Sequence, residues 1–114
     1  MENKNQVNEW YKQALEINEV IYNSLSEIFA GNNLVSFTVG IERWHDRVNI
    51  STFMMLTHGS KVGNELRELV GNHSMMLTLS EYQTDNLEEY AKAVVSVAEE
   101  YARKAALVRS IIEK

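Results

Sequence analysis

The sequence predicts a single α+β domain in the order α-β-β-α-β-α: a long helix at each end, and between them a small antiparallel sheet of about three strands with a short helix inserted. Three observations support this. Apolar residues recur at helical spacing near both ends, they alternate with a period of two in the middle, and glycine or asparagine follows several periodic segments. The length of 114 residues is typical of one domain.

The first element is a helix from about Val7 to Phe29, where apolar residues form an unusually wide stripe. A stripe this wide suggests that the helix is covered on two sides. Asn18 lies within the stripe. It either fixes the register between paired helices or is a solvated side chain at the stripe's edge. Gly31 and the two asparagines after it end the helix.

Three strands are predicted next. The residues from Leu34 to Ile41 alternate between apolar and polar, and so do those from Val48 to Leu56. The six residues between these runs suit a hairpin connection. A third strand covers roughly Ser74 to Leu79, after a short amphipathic helix that begins at Ser60 and stops before Gly71.

Two methionine doublets, Met54-Met55 and Met75-Met76, fall on the predicted strands. Each doublet must point one methionine to each face of the sheet, because side chains alternate along a strand. Either both faces are covered, or two methionines are exposed and form a contact surface.

The last element is a helix with an apolar heptad pattern from Leu87 to Ile112. Asp85 with Glu88, or Ser80 with Gln83, supplies a possible capping box. At about 1.5 Å per residue the helix is about 40 Å long, which exceeds the roughly 34 Å diameter of a compact domain. The overhang predicts a coiled-coil-like homodimer, and the alternative is that the N-terminal helix covers the seam within one chain. The predicted dimer residues are Ala91, Val94, Ala98, Tyr101, Ala105 and Val108.

The composition excludes several classes of function. The absence of cysteine excludes disulfides and thiolate chemistry, and the formal net charge of −5 argues against nucleic acid as a partner. The N-terminal residues lack the apolar segment of a signal peptide, and the longest apolar run, Phe53–Leu56, is too short to span a membrane. We therefore expect a cytoplasmic protein without a cofactor. Abundant asparagine suggests an AT-rich genome such as that of a phage or of a low-GC bacterium; for a phage protein the compartment is the host cytoplasm.

The loop from Glu42 to Arg47 is the strongest candidate contact site, because tryptophan and arginine are enriched in binding hot spots. The candidate partner-binding residues are Arg43, Trp44, His45 and Arg47. The alternative is a solvated turn with Trp44 folded back on the sheet edge. His45 beside Asp46 resembles a base with its orienting acid, although adjacent side chains seldom converge.

A second candidate site lies where the second strand passes into the short helix. There His58, Ser60 and Lys61 suit the binding of a phosphate or carboxylate at a helix start. The glycine spacing does not match a P-loop, and an ordinary capped helix start is the alternative. The three histidines, His45, His58 and His73, show no metal-binding spacing, so no metal site is predicted.

These features favour a non-enzymatic protein-interaction module: an inhibitor, adaptor or chaperone-like dimer, with a phage protein that acts on a host protein as one setting. The second hypothesis is a dimer that sequesters a small anionic ligand or nucleotide in a cleft lined by His58, Lys61, Arg43 or Arg109. The third is a small enzyme, for which the sequence contains no catalytic motif.

Overall fold

The computed structural model describes residues 4–31, 34–56, 70–81 and 86–112. Its elements confirm the α+β fold, because a helix, a three-stranded antiparallel sheet and a second long helix follow one another along the chain. Most of the predicted short helix lies outside the described residues; its last residue, Val70, is helical and buried. The elements are α1 (Lys4–Ile28), β1 (Val35–Arg43), β2 (Arg47–Leu56), β3 (His73–Ser80) and α2 (Leu87–Ile112).

The helix ends follow local chemistry. Gly31 has a φ of 75°, so it adopts the left-handed conformation that terminates α1, as predicted. At the start of α2, the Oδ1 atom of Asn86 accepts a hydrogen bond from the Glu89 backbone N–H at 3.0 Å. Asn86, which the sequence pattern did not single out, is therefore the cap of α2. Of the predicted capping residues, Asp85 and Gln83 lie outside the described residues.

The sheet has the strand order β1-β2-β3, so β2 is central and the other two strands are edges. Both pairs are antiparallel, with Val39 opposite Thr52 and Thr52 opposite Met75. Alternate residues of β2, from Val48 to Leu56, are at most 1% exposed, because this face of the sheet packs against both helices. The predicted alternation thus marks the helix-covered face.

The methionine doublets divide between the two faces. Met54 is buried and Met75 half-buried on the helix-covered face. On the outer face Met55 is half-buried, whereas Met76 is 65% exposed. The outer face is therefore open to solvent at Met76.

The hairpin connection is shorter than the predicted six residues. β1 continues to Arg43 and β2 begins at Arg47, which leaves only residues 44–46 between the strands. The Trp44 N–H donates to the Arg47 carbonyl at 2.8 Å and closes the turn. The prediction was wrong because apolar alternation stops at Ile41, while backbone pairing continues through polar residues.

α1 lies against the sheet and runs antiparallel to β1. Near its start, the Tyr11 ring lies 5.3 Å from the Arg43 guanidinium at the end of β1. Near its end, the Tyr22 ring lies 5.8 Å from the Phe37 ring at the beginning of β1. These contacts fix both the direction of α1 and its level along the strand.

α2 runs in the same direction as α1. The Tyr90 hydroxyl lies 3.1 Å from the Thr52 Oγ1 atom in the middle of β2. Three turns later, the Tyr101 hydroxyl donates to the Gly71 carbonyl at 2.8 Å, just before β3. Because β3 begins where β2 ends, α2 runs parallel to β2 and therefore parallel to α1.

The apolar heptad row of α2 is buried inside the single chain. Its residues pack in the core where α2 meets α1 and the sheet, so the row does not require a second subunit to cover it. This is the alternative in which the seam is intramolecular; whether the chain dimerises stays a prediction. The exposed fractions are at most 8% for Ala91, Val94, Ala98, Tyr101, Ala105 and Val108.

The molecule is elongated, with principal extents of 62 × 23 × 18 Å and a radius of gyration of 16.5 Å. A compact domain of this length has a radius of gyration of about 13 Å. α2 accounts for part of the difference, since it continues for about 16 Å beyond Tyr101 at the end of the sheet. No described helix is long and apolar enough to cross a membrane.

Candidate functional site

The tip of the β1–β2 hairpin presents an ordered aromatic side chain to solvent. Trp44 is 48% exposed, and the Arg47 guanidinium lies 5.3 Å from the centre of its ring. Arg47 in turn binds Asp46 through two contacts of 3.2 Å, one to each carboxylate oxygen. The Arg47 guanidinium therefore contacts the indole of Trp44 and the carboxylate of Asp46 at the same time. We call residues Trp44, His45, Asp46 and Arg47 the hairpin tip.

Asp46 and Arg47 of the hairpin tip each stabilise the charged form of the other. The hydrogen bond from Arg47 lowers the pKa of the Asp46 carboxyl, and the same contact raises the pKa of Arg47. Both groups are therefore charged at neutral pH, and the fork of the guanidinium is fixed by a bidentate partner. Asp46 is thus bound by Arg47, and the described hydrogen bonds do not join it to His45.

Arg43 fastens the base of the hairpin to α1. Its guanidinium donates to the Asn8 Oδ1 atom and lies over the Tyr11 ring. The contact between Arg43 and Asn8 spans 35 residues of sequence, which is why residue type and spacing did not reveal it. Arg43 is therefore bound to α1, whereas the described contacts of Trp44 and Arg47 stay within the hairpin tip.

The predicted contact loop thus divides into two parts. Trp44 and His45 are exposed and Arg47 is half-buried at the tip, while Arg43 anchors its base. Trp44 is not buried on the sheet edge, which was the alternative interpretation, but stands half-exposed and stacked on Arg47. The tip can act as a preset contact for another macromolecule.

The predicted anion-binding residues His58, Ser60 and Lys61 lie outside the described residues, so that site stays a prediction. A shallow groove of about 250 Å³ lies between β3 and α2, with His73 on one side and Ser96, Val97, Glu100 and Lys104 on the other. The His73 ring contacts the Tyr101 ring edge-on at 5.6 Å. No local pattern in the sequence predicts this groove, because it joins His73 of β3 to residues of α2 that are distant along the chain.

In the part of the chain that the structure describes, no three histidine, aspartate or glutamate side chains converge as metal ligands. Comparisons of the chain with protein-family models, with curated proteins and with solved structures found no match.

Proposed function

We propose that this chain is a non-enzymatic interaction protein, an inhibitor, adaptor or chaperone-like protein, that binds a target protein through the hairpin tip. The observation that carries the proposal is the half-exposed Trp44 held in one orientation by Arg47. Tryptophan is strongly enriched among residues whose truncation abolishes binding. An aromatic side chain at a protruding turn can enter a pocket of the target.

Preorganisation of the tip supports this function. Ordering a free side chain on binding costs free energy, and stacking on Arg47 removes part of that cost before the target arrives. Asp46 restrains Arg47, and Arg43 restrains the whole hairpin against α1. The contacts therefore favour a rigid binding element over a flexible loop.

The experiment is cross-linked capture of target proteins with the tagged chain from the cells that make it, followed by quantitative mass spectrometry. Replacing Trp44 by alanine should lower recovery of the target at least about tenfold. The melting temperature should hardly change, because Trp44 lies outside the buried core. Met76→Ala is the matched control, since it removes another exposed apolar side chain from the outer face of the sheet.

Unchanged recovery with Trp44→Ala would refute the tip as the contact. If Met76→Ala alone abolished recovery, the contact would lie on the outer face of the sheet instead. A large loss of thermal stability in Trp44→Ala would mean that the indole stabilises the fold.

The groove beside His73 is weaker evidence for the binding of a small anionic ligand than the hairpin tip is for the binding of a protein. Its volume of about 250 Å³ is just below the common range of roughly 300–1,000 Å³ for small-molecule sites. Glu100 lines the groove together with Lys104, so a carboxylate opposes the charge that would attract an anion. Ligand sequestration therefore ranks second, and native mass spectrometry of the purified chain tests it by the presence of added mass.

A further inference from the structure

The outer edge of β1 carries a row of backbone groups that no other described strand pairs with. The hydrogen bond between Trp44 and Arg47 fixes the phase of the β1–β2 ladder, in which bonded pairs recur every second residue. The bonded residues of β1 are thus the even-numbered ones. The odd-numbered residues Val35, Phe37, Val39 and Ile41 direct their N–H and C=O groups away from β2. No described strand pairs with this edge.

β1 lacks the devices that protect such edges in other proteins. Natural edge strands are commonly short or carry lysine, proline or a bulge, which prevent pairing with another chain. β1 has nine residues, and from Val35 to Ile41 it contains neither a charge nor a proline. Its register with β2 is continuous. On the opposite edge, Thr78 and Ser80 of β3 already make further interactions.

The helix-facing side chains of β1 are incompletely covered. Val35, Phe37, Val39 and Ile41 are all half-buried, whereas the corresponding residues of β2 are at most 1% exposed. The helix layer therefore ends above β1 and leaves an apolar strip along the edge.

α1 presents a matching row of side chains beside this strip. Tyr11, Leu15, Asn18 and Tyr22 lie on one side of the helix because they are spaced by four, three and four residues. Leu15 is 46% and Tyr22 53% exposed. Among the described residues the buried Oδ1 atom of Asn18 has no hydrogen-bond partner, although the side chain as a whole is half-exposed. We call these four residues the side row of α1.

We propose that a second copy of this chain pairs antiparallel with β1, with the two-fold axis at Val39, to form a continuous six-stranded sheet. In this register Phe37 faces Ile41 of the partner subunit, and Ser36 faces Glu42 of the partner subunit. All nine residues of β1 are paired, and no two like charges are opposite each other. The apolar strips of the two subunits become one covered surface.

The position of Asn18 supports the same axis independently. Tyr11 lies at the level of Arg43 and Tyr22 at the level of Phe37, so interpolation along α1 places residue 18 at the level of Val39. The two-fold axis that centres the strands therefore brings Asn18 next to Asn18 of the partner subunit. Two asparagine amides related in this way can exchange hydrogen bonds through the exposed part of each side chain.

The expected distance between the two copies of α1 allows this arrangement. Paired strands lie about 4.8 Å apart, so helices placed above β1 and β2 of each subunit approach each other to about 10 Å. Packed helices have axes about 8–10 Å apart. Leu15 would then pack near Tyr22 of the partner subunit, which covers the two exposed apolar residues of the side row.

The test is the mass of the full-length chain in solution, measured by light scattering across a range of concentrations. We expect twice the chain mass of 13.1 kDa. Leu15→Glu should give a monomer, because each subunit would place a carboxylate in the apolar contact. Val20→Glu is the matched control: Val20 is 52% exposed but lies outside the side row, so this variant should remain dimeric. A monomeric wild-type chain, or a dimer that survives Leu15→Glu, would overturn the proposal.

A second experiment tests the proposal even if Leu15→Glu fails to fold. The chain has no cysteine, so a cysteine introduced at position 18 or 20 is the only thiol. Asn18→Cys should form a disulfide-linked dimer under mild oxidation much faster than Val20→Cys, because a disulfide requires Cβ atoms about 4 Å apart. Equal rates would refute the axis at Asn18. The proposed function does not depend on the outcome, since a monomer retains the hairpin tip.

Discussion

The hydroxyl groups of Tyr90 and Tyr101 lie between α2 and the sheet, where each makes hydrogen bonds. The Tyr90 hydroxyl lies 3.1 Å from the Thr52 Oγ1 atom and donates to the Met75 carbonyl at 3.3 Å. Tyr101 donates to Gly71. Thr52 is only 1% exposed, so the Tyr90 hydroxyl satisfies a polar group that water cannot reach. The two tyrosines fix the position of α2 along the sheet.

From the raised pKa values of these two tyrosines we expect a loss of stability at alkaline pH. Burial raises the pKa of Tyr90 and of Tyr101 above the ordinary value of 10.0. The folded chain therefore holds these protons more tightly than the unfolded chain does. Their contribution to the free energy of unfolding is complete below pH 10 and is lost as the pH rises from 10 through the folded pKa values.

Urea unfolding at a series of pH values measures this effect. Above pH 10 the free energy of unfolding should fall less steeply in Tyr90→Phe or Tyr101→Phe than in the wild type. At neutral pH Tyr90→Phe should also cost about 1–3 kcal/mol, because it leaves Thr52 without its hydroxyl partner. Tyr22→Phe is the control, since Tyr22 is exposed. Identical slopes in the wild type and the Tyr90 variant would refute the assignment.

At the scale of elements, Arg43 joins the hairpin to the first turns of α1. Arg43→Ala removes both the hydrogen bond to Asn8 and the stacking on Tyr11. We expect a loss of about 0.5–1 kcal/mol in stability, typical of a cation–π contact near the surface. Backbone amides in the first three turns of α1 should exchange hydrogen faster. Arg47→Ala is the control, because the described side-chain contacts of Arg47 are with Trp44 and Asp46 and not with α1. Equal exchange in both variants would contradict a role of Arg43 in fastening the hairpin to α1.

The positions of the elements could be predicted because burial imposes a period on the sequence. The alternation of β2 and the heptads of α2 mark faces that the structure buries, the stripe of α1 contains the core residues of that helix, and the alternation of β1 marks a half-buried face. The extent of β1 could not be predicted in this way, since pairing continues to Arg43 without an apolar residue to report it. Residue type at a hairpin predicted the tip at Trp44. The Arg43–Asn8 contact and the groove beside His73 depend on distant segments, and no local pattern indicates them.

At the scale of the whole molecule, an apolar row shows that a face is covered but not what covers it. The heptads of α2 suggested a second subunit, yet Val94 and Val108 are already buried within the same chain. The half-buried row of β1 is the weaker pattern in the sequence, because four alternating residues suit any strand. Only the free edge, the side row and Asn18 together point to a partner subunit there.

The proposed dimer makes a last prediction about binding. Because Arg43 would pair with Val35 of the partner subunit, the two hairpin tips lie at opposite ends of the paired strands, with the two copies of Trp44 about 34 Å apart along them. A dimer with two such tips should dissociate from a densely immobilised target much more slowly than a monomer, since each tip raises the local concentration of the other. Surface plasmon resonance with wild type and Leu15→Glu measures this difference. At low target density the two should dissociate at the same rate, because only one tip is then engaged. If the rates were also equal at high density, the two tips would not bind together, and each would act as an independent contact.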